Sequence, residues 1–367
     1  MTVSLFDAAK LGEWTLANRM VMAPMTRSRA GKGWVPSVHA AQYYGQRASA
    51  GLVITEATQV CRDATGYSRT PGVWSSEQTE AWRAVAAAIH EGGAKAVMQL
   101  WHTGRMSHPL NLPEGCEALA PSSIAADMPM WTDQEGFQPC ATPREMTAAD
   151  IERVIRDFAT AAANAISAGF DGVELHAANG YLIDQFSNSA SNRREDEWGG
   201  SLQNRVKFYG KVIEAVASAV GKDRTGVRLS PYGTYGDVSD NNPKALLEAQ
   251  VDIAATADLA YLHIIRPMIS GAEDVGATAK DREVLEIARR RFPNTLIAAG
   301  GYSKESATVD LNEGLIDLVA FGKPFIANPD LPARLKAGQP LSDFNGDLLY
   351  APGPEGYSDY PALNAQA

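Results

Sequence analysis

The sequence predicts an α/β fold, a (β/α)8 barrel, on three observations. Eight short apolar runs, several of them rich in β-branched residues, recur along the 367 residues. Most of these runs are bounded by glycine, proline or polar residues, as buried strands are. Longer stretches with a helical pattern lie between them. Eight strands that alternate with helices are typical of a closed parallel barrel, and an open doubly wound sheet is the structural alternative.

The individual elements follow this alternation from the N-terminus onwards. The helix predicted at 76–91 starts with a serine and has Glu77 in its first turn, which favours helix initiation. The alanine-rich helix that ends near 167 begins with a capping-box-like Thr147–Asp150 and is stopped by Gly169. The other predicted helices are 202–220, 243–257, 280–292 and 303–313. The predicted strands are 21–24, 51–57, 95–101, 172–176, 226–230, 259–264, 295–299 and 315–321.

Two segments lie outside the alternation. Residues 102–146 separate the third strand from its helix and contain six prolines, and loops of this length are usually functional lids or substructures. Residues 342–367 are rich in Gly, Pro, Asp and Tyr and predict an extended arm or a frayed end. Length alone allows two domains or one large barrel. The strand count favours a single domain over 1–367, with 102–146 as an insertion and 342–367 as a C-terminal arm.

Composition and charge exclude several classes of protein. The net charge is −10, which repels a phosphate backbone and makes nucleic acid an unexpected partner. The three cysteines, Cys61, Cys116 and Cys140, are scattered and form no CxxC pair. A disulfide framework and a cysteine zinc site are therefore not expected. Residues 1–10 do not read as a signal peptide, and no run is apolar enough for a membrane helix, so we expect a cytoplasmic protein without a membrane partner.

Glycines follow the last two predicted strands. Gly300 and Gly301 follow the seventh strand, and Gly322 and Lys323 follow the eighth. Barrels of this kind often bind phosphate at these two loops, because glycine lets backbone N–H groups approach an anion closely. Lys323 would add a charge-assisted hydrogen bond. The alternative is that these glycines are only turn residues.

His176, Asn179 and Tyr181 lie within six residues at the end of the fourth strand. The histidine and the asparagine can jointly bind a carbonyl oxygen. A tyrosine, whose ordinary pKa is about 10, is a plausible proton donor at neutral pH. Their spacing differs from HExxH and no carboxylates cluster with them, so no metal is expected. The alternative is an Asn-Gly turn beside a core histidine and a packed tyrosine.

Arg228 lies inside the fifth predicted strand. A buried guanidinium is costly unless it is paired, so it needs an acidic partner or an electron-rich ligand. Glu174, on the fourth strand, is the structural candidate, and a negatively charged cofactor ring is the functional one.

Six motifs, in order along nearly the whole chain, resemble the Old Yellow Enzyme family of FMN-dependent ene-reductases, which includes N-ethylmaleimide reductase-like proteins. They are NRMVMAPMT at 18–26, QLWHTGR at 99–105, HAANGYL at 176–182, WGGSLQNR at 198–205, GKPFIANPDL at 322–331 and GYSDYP at 356–361. The resemblance implies a (β/α)8 barrel that binds FMN and uses NADPH or NADH.

The resemblance also implies how FMN is held. Thr26 would hydrogen-bond near the flavin C4 carbonyl, and Arg228 would lie near N1–C2, where reduced flavin is negatively charged. Lys323 stands where many members have arginine, which keeps the charge but loses the planar fork. The residues implied to contact FMN are Ala23, Pro24, Met25, Thr26, Ala57, Gln99, Arg228, Gly300, Gly301, Gly322 and Lys323.

The implied reaction is the reduction of activated C=C bonds in α,β-unsaturated carbonyls, maleimides and nitroalkenes. Hydride would come from flavin N5 and the proton from Tyr181, while His176 and Asn179 bind the substrate oxygen and Thr26 assists at the flavin. Alternatives on the same barrel are a nitrate-ester or nitroaromatic reductase, a dienoyl reductase, which usually needs an iron–sulfur cluster, and a non-catalytic flavin-binding barrel. The implied pocket walls, which as aromatics could equally be core, are Tyr67, Trp101 and Tyr357. The expected partner is a small activated alkene, and the expected assembly is a monomer or a homodimer.

Overall fold

Eight parallel strands form a closed barrel in the computed structural model of the chain, which describes residues 2–363. The last strand pairs with the first, Phe321 lying opposite Met22, so the sheet has no free edge. The predicted barrel is therefore confirmed, and the open doubly wound alternative is wrong. The barrel strands, β1 to β8, are Met20–Met22, Leu52–Ile54, Lys95–Trp101, Gly172–His176, Thr225–Leu229, Tyr261–Ile265, Thr295–Ala299 and Leu318–Phe321.

Helices cover the outside of the barrel. The helix Ser76–Glu91 is capped by Ser75, the residue before it, in a reciprocal capping box with Gln78. Thr147 forms the predicted capping box with Asp150. The predicted helix 202–220 is divided at Val206. The helices, α1 to α11, are Ala40–Gly45, Ser76–Glu91, Ala148–Ser167, Leu182–Ser187, Leu202–Arg205, Lys207–Val220, Pro243–Thr256, Lys280–Arg291, Lys304–Asn312, Lys323–Ala327 and Leu331–Ala337.

Short elements decorate the barrel at both ends. A hairpin of Ala9–Leu11 and Trp14–Leu16 packs its apolar side chains against the N-terminal end of the barrel interior. Thr58–Gln59 runs beside β3. The other paired segments are Leu119–Ala120 with Arg144–Glu145, Pro129–Thr132 with Gly136–Pro139, and Ile269–Ser270 with Glu273–Asp274. The 3-10 helices are Lys32–Trp34, Arg62–Ala64, Lys222–Arg224 and Gly346–Leu348.

The excursion at 102–146 covers the carboxyl ends of the strands. In its hairpin, the strand Pro129–Thr132 alternates between exposed and buried side chains, and the strand Gly136–Pro139 alternates between half-buried and exposed residues. Met130, on the buried face, packs in one apolar cluster with Trp101 and Tyr181. The excursion is therefore a substructure folded over the end of the barrel at which chemistry is expected.

The described part of the C-terminal arm is bound to the barrel by a buried arginine. The Arg29 guanidinium donates to the carbonyl oxygens of Leu348 (2.7 Å), Leu349 (2.8 Å), Gly353 (3.1 Å) and Glu355 (3.0 Å). The arm is thus ordered rather than frayed as far as it is described, and residues 364–367 of the prediction lie outside the described residues. Across residues 2–363 no helix has the length and apolar character that a membrane span requires.

Candidate active site

Aromatic side chains from three strand ends meet above the barrel. Tyr67 lies in the loop after β2, and Trp101 ends β3. His176 ends β4, and Tyr181 follows in the loop that leads to α4. The ring of Trp101 lies 4.7 Å from that of Tyr181 and stacks at 5.5 Å on that of Tyr67, measured between centroids. The structure therefore brings together four of the residues predicted for catalysis or for the pocket wall.

The Tyr181 phenol lies at one end of a row of three hydroxyl groups. Its hydroxyl donates a hydrogen bond to the hydroxyl of Tyr67 at 3.2 Å, and Tyr67 in turn lies 3.4 Å from the hydroxyl of Tyr235. Burial raises the pKa of Tyr181 well above its ordinary value, and the nearby phenols of Tyr235 and Tyr350 add to the rise. Tyr181 is therefore a neutral phenol at physiological pH, the form that can donate a proton.

His176 is buried and has a nitrogen available for a ligand. Its Nδ1 has no hydrogen-bond partner among residues 2–363. Burial lowers the pKa of His176 well below its ordinary value, and the positive charge of Arg228 lowers it further. The imidazole is therefore neutral, and one ring N–H remains a donor for an oxygen atom.

Asn179 occupies a left-handed turn whose geometry is fixed by close packing. Its φ is 56°, a conformation that asparagine adopts more readily than most residues, and its backbone N–H donates to Ser230 Oγ at 2.8 Å. A Cβ on the next residue, Gly180, would lie 2.4 Å from the carbonyl oxygen of Tyr235. The Asn-Gly turn of the alternative interpretation thus exists, and it holds the half-buried Asn179 between His176 and Tyr181 in the loop that follows β4.

Arg228 is buried, and none of the residues 2–363 forms an ion pair with it. Only 8% of the residue is exposed, and its guanidinium makes no hydrogen bond or ion pair within the described chain, with Nε among the unpartnered buried atoms. Glu174, the alternative partner, instead accepts from Gln99 Nε2 at 2.8 Å and faces His263 Nδ1 at 2.9 Å. A buried unpaired charge is costly, so the residues present fit an electron-rich group beside Arg228.

The two glycine loops lie at the ends of neighbouring strands. Gly300 and Gly301 follow β7 with φ values of 114° and 60°, which favour glycine because a Cβ is strained there. Gly322 follows β8, which pairs with β7, and the exposed Lys323 begins α10. Both loops therefore open at the same edge, as a phosphate site requires.

Sequence reasoning missed a cation at this edge. Arg266 follows β6, and its Nε donates to the carbonyl oxygen of Gly300 at 2.8 Å. Its guanidinium also stacks on the ring of Tyr302, with 3.9 Å from Cζ to the centroid. Because it lies beside the glycine loop, Arg266 supplies positive charge there in addition to Lys323.

The remaining residues expected to line the cofactor lie at the ends of the first three strands. Ala23, Pro24 and Ala57 are buried, and Ala57 belongs to the apolar cluster of Trp101 and Tyr181. Met25 and Thr26 are half-buried. Because β1, β2 and β3 are neighbours in the barrel, these positions and Gln99 lie on one side of it, named the ledge below. Their contact with a flavin ring stays a prediction.

Tyr357, which the resemblance implies as a pocket wall, packs inside the fold. Its ring is completely buried and stacks on Tyr43 at 4.0 Å, with the Arg29 guanidinium 4.8 Å from the ring centroid. Tyr350, seven positions earlier in the arm, is 49% exposed and lies close enough to raise the pKa of Tyr181. Tyr350 thus lies near Tyr181, and the role of Tyr357 as a pocket wall stays a prediction.

A cluster of Cys61, Asp63 and His102 lies beside the site and is held by hydrogen bonds. The Cys61 thiol donates to Asp63 Oδ1 at 2.9 Å, and His102 Nδ1 accepts from the backbone N–H of Gly104 at 3.1 Å. The imidazole proton is therefore on Nε2, which faces Asp63 Oδ1 at 3.6 Å. A metal ligand needs a free lone pair at that nitrogen, so this trio reads as a structural cluster.

Comparison with known proteins places the chain among reductases. The model of the NADH:flavin oxidoreductase / NADH oxidase family matches residues 4–342. The chain is 41% identical to 12-oxophytodienoate reductase 2 of Arabidopsis thaliana, over 100% of this chain and 97% of that protein. It is similar to morphinone reductase in complex with tetrahydroNAD (TM-score 0.92, 39% identity, 99% of each chain). It is also similar to the old yellow enzyme homologue from Zymomonas mobilis (TM-score 0.93, 38% identity, 98% of this chain and 100% of that one).

Proposed function

The chain belongs to the NADH:flavin oxidoreductase / NADH oxidase family, and on that premise we propose that His176, Asn179 and Tyr181 carry out the reduction of activated alkenes. It is an FMN-dependent oxidoreductase of the Old Yellow Enzyme family that uses NAD(P)H, with the activity of an ene-reductase. The observation that supports the proposal most directly is the pairing of an unpartnered, neutral His176 with a neutral Tyr181, whose rings lie 4.8 Å apart.

FMN is held in this proposal by the ledge and the glycine loops described above. When bound, FMN would supply the hydride for the alkene, drawn from NAD(P)H. Arg228, whose Nε is buried without a partner among residues 2–363, and Gln99 would hold the flavin ring. Gly300, Gly301, Gly322 and Lys323 bind the phosphate, to which the N–H groups of glycine loops are suited.

His176 and Asn179 bind the oxygen of the substrate. A neutral imidazole N–H and a carboxamide N–H both donate to a carbonyl or nitro oxygen, and they stabilise the negative charge that develops on it. Because burial keeps His176 neutral, it acts as a hydrogen-bond donor and not as a fixed positive charge.

Tyr181 supplies the proton to the α-carbon of the alkene. The phenolic O–H bond, which donates to Tyr67 in the structure, breaks as the new C–H bond forms. The Tyr67 hydroxyl then turns to donate to the phenolate that remains. The aromatic rings of Tyr67 and Trp101 exclude water from this step, which favours transfer to carbon.

The substrate in this proposal is a small alkene activated by a carbonyl group. The names 12-oxophytodienoate reductase and morphinone reductase denote oxo compounds as substrates of the relatives, which supports a carbonyl as the activating group. We assign catalysis to one barrel domain, because the family model covers residues 4–342 without interruption.

The test is turnover of the purified holoenzyme. It should be yellow, release FMN on denaturation and convert 2-cyclohexenone to cyclohexanone with NADPH or NADH, with product identified by gas chromatography. Nitrobenzene and a nitrate ester serve as parallel substrates. Faster reduction of these two than of the enone would contradict the alkene assignment, and a colourless protein that cannot be reconstituted with FMN would contradict the whole proposal.

A further inference from the structure

Glu174 places a carboxylate in the interior of the barrel beneath the proposed flavin site. The residue is fully buried on β4, two positions before His176. Its Oε1 accepts from Gln99 Nε2 at 2.8 Å, and its Oε2 lies 2.9 Å from His263 Nδ1. Gln99 lies directly opposite Glu174 in the β3–β4 register, so this contact is built into the sheet. Glu174 neither binds the substrate oxygen nor donates the proton in the proposed reaction.

We propose that Glu174 is a positioning residue that fixes the orientation of the Gln99 carboxamide and offsets the positive charge of Arg228, and thereby sets both the affinity for FMN and its reduction potential. This inference rests on the proposed function, because it assumes that FMN binds beside Gln99 and Arg228.

The contact with Glu174 decides which end of the Gln99 amide is free to face the cofactor. Only the NH2 end of the amide can donate, and an ionised carboxylate can only accept. Because Nε2 of Gln99 donates to Glu174, the carbonyl oxygen of Gln99 is the end left for a ligand. Gln99 therefore presents an acceptor, which suits the ring N–H of a flavin and not a ring carbonyl.

Glu174 also fixes the tautomer of His263. A carboxylate accepts a hydrogen bond from the ring nitrogen that faces it, so the proton of His263 lies on Nδ1. Burial lowers the pKa of His263, so this imidazole adds no positive charge. The negative charge of Glu174 is thus bonded to two neutral donors and is not consumed by an ion pair.

The charges of Arg228 and Glu174 together set the electrostatic potential at the proposed site of the flavin ring. The Arg228 guanidinium lies on β5 next to β4, with His176 opposite Arg228 in the register, and it makes no ion pair within residues 2–363. Burial lowers the pKa of Arg228, and the charge of Glu174 partly offsets that effect, so the two charges act on each other without direct contact. Reduction adds negative charge to a flavin, which Arg228 favours and Glu174 opposes.

Removing the charge of Glu174 should therefore make the bound flavin easier to reduce. In FMN-loaded Glu174→Gln we expect the equilibrium constant for two-electron reduction to rise at least tenfold, which is about 30 mV in the midpoint potential. The measurement is a spectroscopic redox titration of the holoenzyme with a reference dye. Asp171→Asn is the matched control. Asp171 lies just before β4, at the opposite end of the barrel, where its carboxylate accepts a hydrogen bond from the backbone N–H of Ala96. Loss of the Asp171 charge should leave the reduction potential of the flavin unchanged.

Glu174→Asp separates orientation from charge. The shorter side chain keeps the charge but cannot reach Gln99 Nε2, so we expect a potential close to that of the wild type and an FMN dissociation constant raised about tenfold. The dissociation constant is measured by the recovery of flavin fluorescence on dilution. This variant also keeps the inference testable if Glu174→Gln fails to fold.

Three results would overturn the inference. They are an unchanged potential in FMN-loaded Glu174→Gln, an equal rise in Asp171→Asn, and an unchanged FMN affinity in Glu174→Asp. None of them touches the proposed function, because each is measured on protein that holds FMN. A wild-type protein that binds no FMN would instead refute the proposed function itself.

Discussion

The hydroxyl of Tyr181 donates a hydrogen bond to the hydroxyl of Tyr67 across 3.2 Å. The two residues come from different barrel units, since Tyr67 lies in the loop after β2 and Tyr181 precedes α4. Burial raises the pKa of Tyr181, whereas the hydrogen bond with Tyr67 lowers it. The strength of Tyr181 as an acid is thus a balance between an apolar site and one hydroxyl partner.

Tyr181→Phe should separate the two half-reactions of the enzyme. The variant lacks the proton donor but keeps the ring that packs on Trp101 and His176. We expect the rate of alkene reduction to fall about 10²- to 10⁴-fold, while flavin reduction by NADPH stays within a factor of a few of the wild type. Stopped-flow absorbance of the flavin measures both rates, and an equal loss in the two half-reactions would remove Tyr181 from the donor role.

Tyr67→Phe should weaken Tyr181 as an acid without removing it. The phenolate of Tyr181 loses its hydrogen-bond partner, which is worth roughly 1 kcal/mol, so we expect alkene reduction to slow by about five- to tenfold. Tyr235→Phe is the control, because within the described residues Tyr235 makes a hydroxyl contact with Tyr67 and no hydrogen bond with Tyr181, and it should have a smaller effect. If Tyr235→Phe slows the reaction more than Tyr67→Phe, the direct contact is not what matters.

Much of the barrel could be predicted because its strands are buried on both faces. Runs such as 172–176 and 295–299 match β4 and β7 residue for residue, since both sides of each strand contact apolar neighbours. Helices α1, α4, α10 and α11 were missed. Each has seven residues or fewer, too short for a helical period to show in the sequence.

The parts that could not be predicted depend on side-chain direction. Glu174 and Arg228 lie on adjacent strands and read as an ion pair, yet Glu174 contacts Gln99 and His263 instead. In the C-terminal arm, the motif at 356–361 singles out Tyr357, but the sequence does not show that its ring stacks on Tyr43 while Tyr350 is exposed.

Asp184 should make the stability of the protein depend on pH. Its carboxyl accepts from the Gly180 N–H at 2.8 Å and from Asn188 Nδ2 at 2.6 Å, and burial raises the pKa of Asp184 to about 7. The pKa of Asp184 is thus higher in the folded than in the unfolded protein. Protonated Asp184 therefore contributes its full stabilisation to the free energy of unfolding at low pH, and this stabilisation is lost as the pH rises through about 7.

The variant Asp184→Asn tests this dependence. Relative to the wild type, its free energy of unfolding should rise by roughly 1–3 kcal/mol between pH 5 and pH 8, as measured by urea titration at each pH. A constant difference between the two proteins over this range would show that Asp184 does not titrate there.

Tyr350 and Tyr357 should respond to substitution in opposite ways. Tyr357 is completely buried against Tyr43, so Tyr357→Ala should lower the free energy of unfolding by roughly 3–5 kcal/mol. Its hydroxyl is buried without a partner within the described residues, so Tyr357→Phe should be neutral or slightly stabilising. Tyr350→Ala should leave stability nearly unchanged and alter KM for bulky enones. A change in KM with Tyr357→Phe would support Tyr357 as a pocket wall.

Arg228→Leu should stabilise the protein without FMN and weaken its hold on FMN. In the apo form the guanidinium is buried with no partner among residues 2–363, and replacing it with an apolar side chain removes the cost of that charge, roughly 1–4 kcal/mol. FMN binds only the folded state and adds stability that grows with its concentration, so wild type and variant should change order as FMN is added. Thermal unfolding of both proteins, with and without excess FMN, measures this. If the apo variant is the less stable of the two, the guanidinium is already satisfied by the protein, and its orientation toward a flavin is not the reason for its burial.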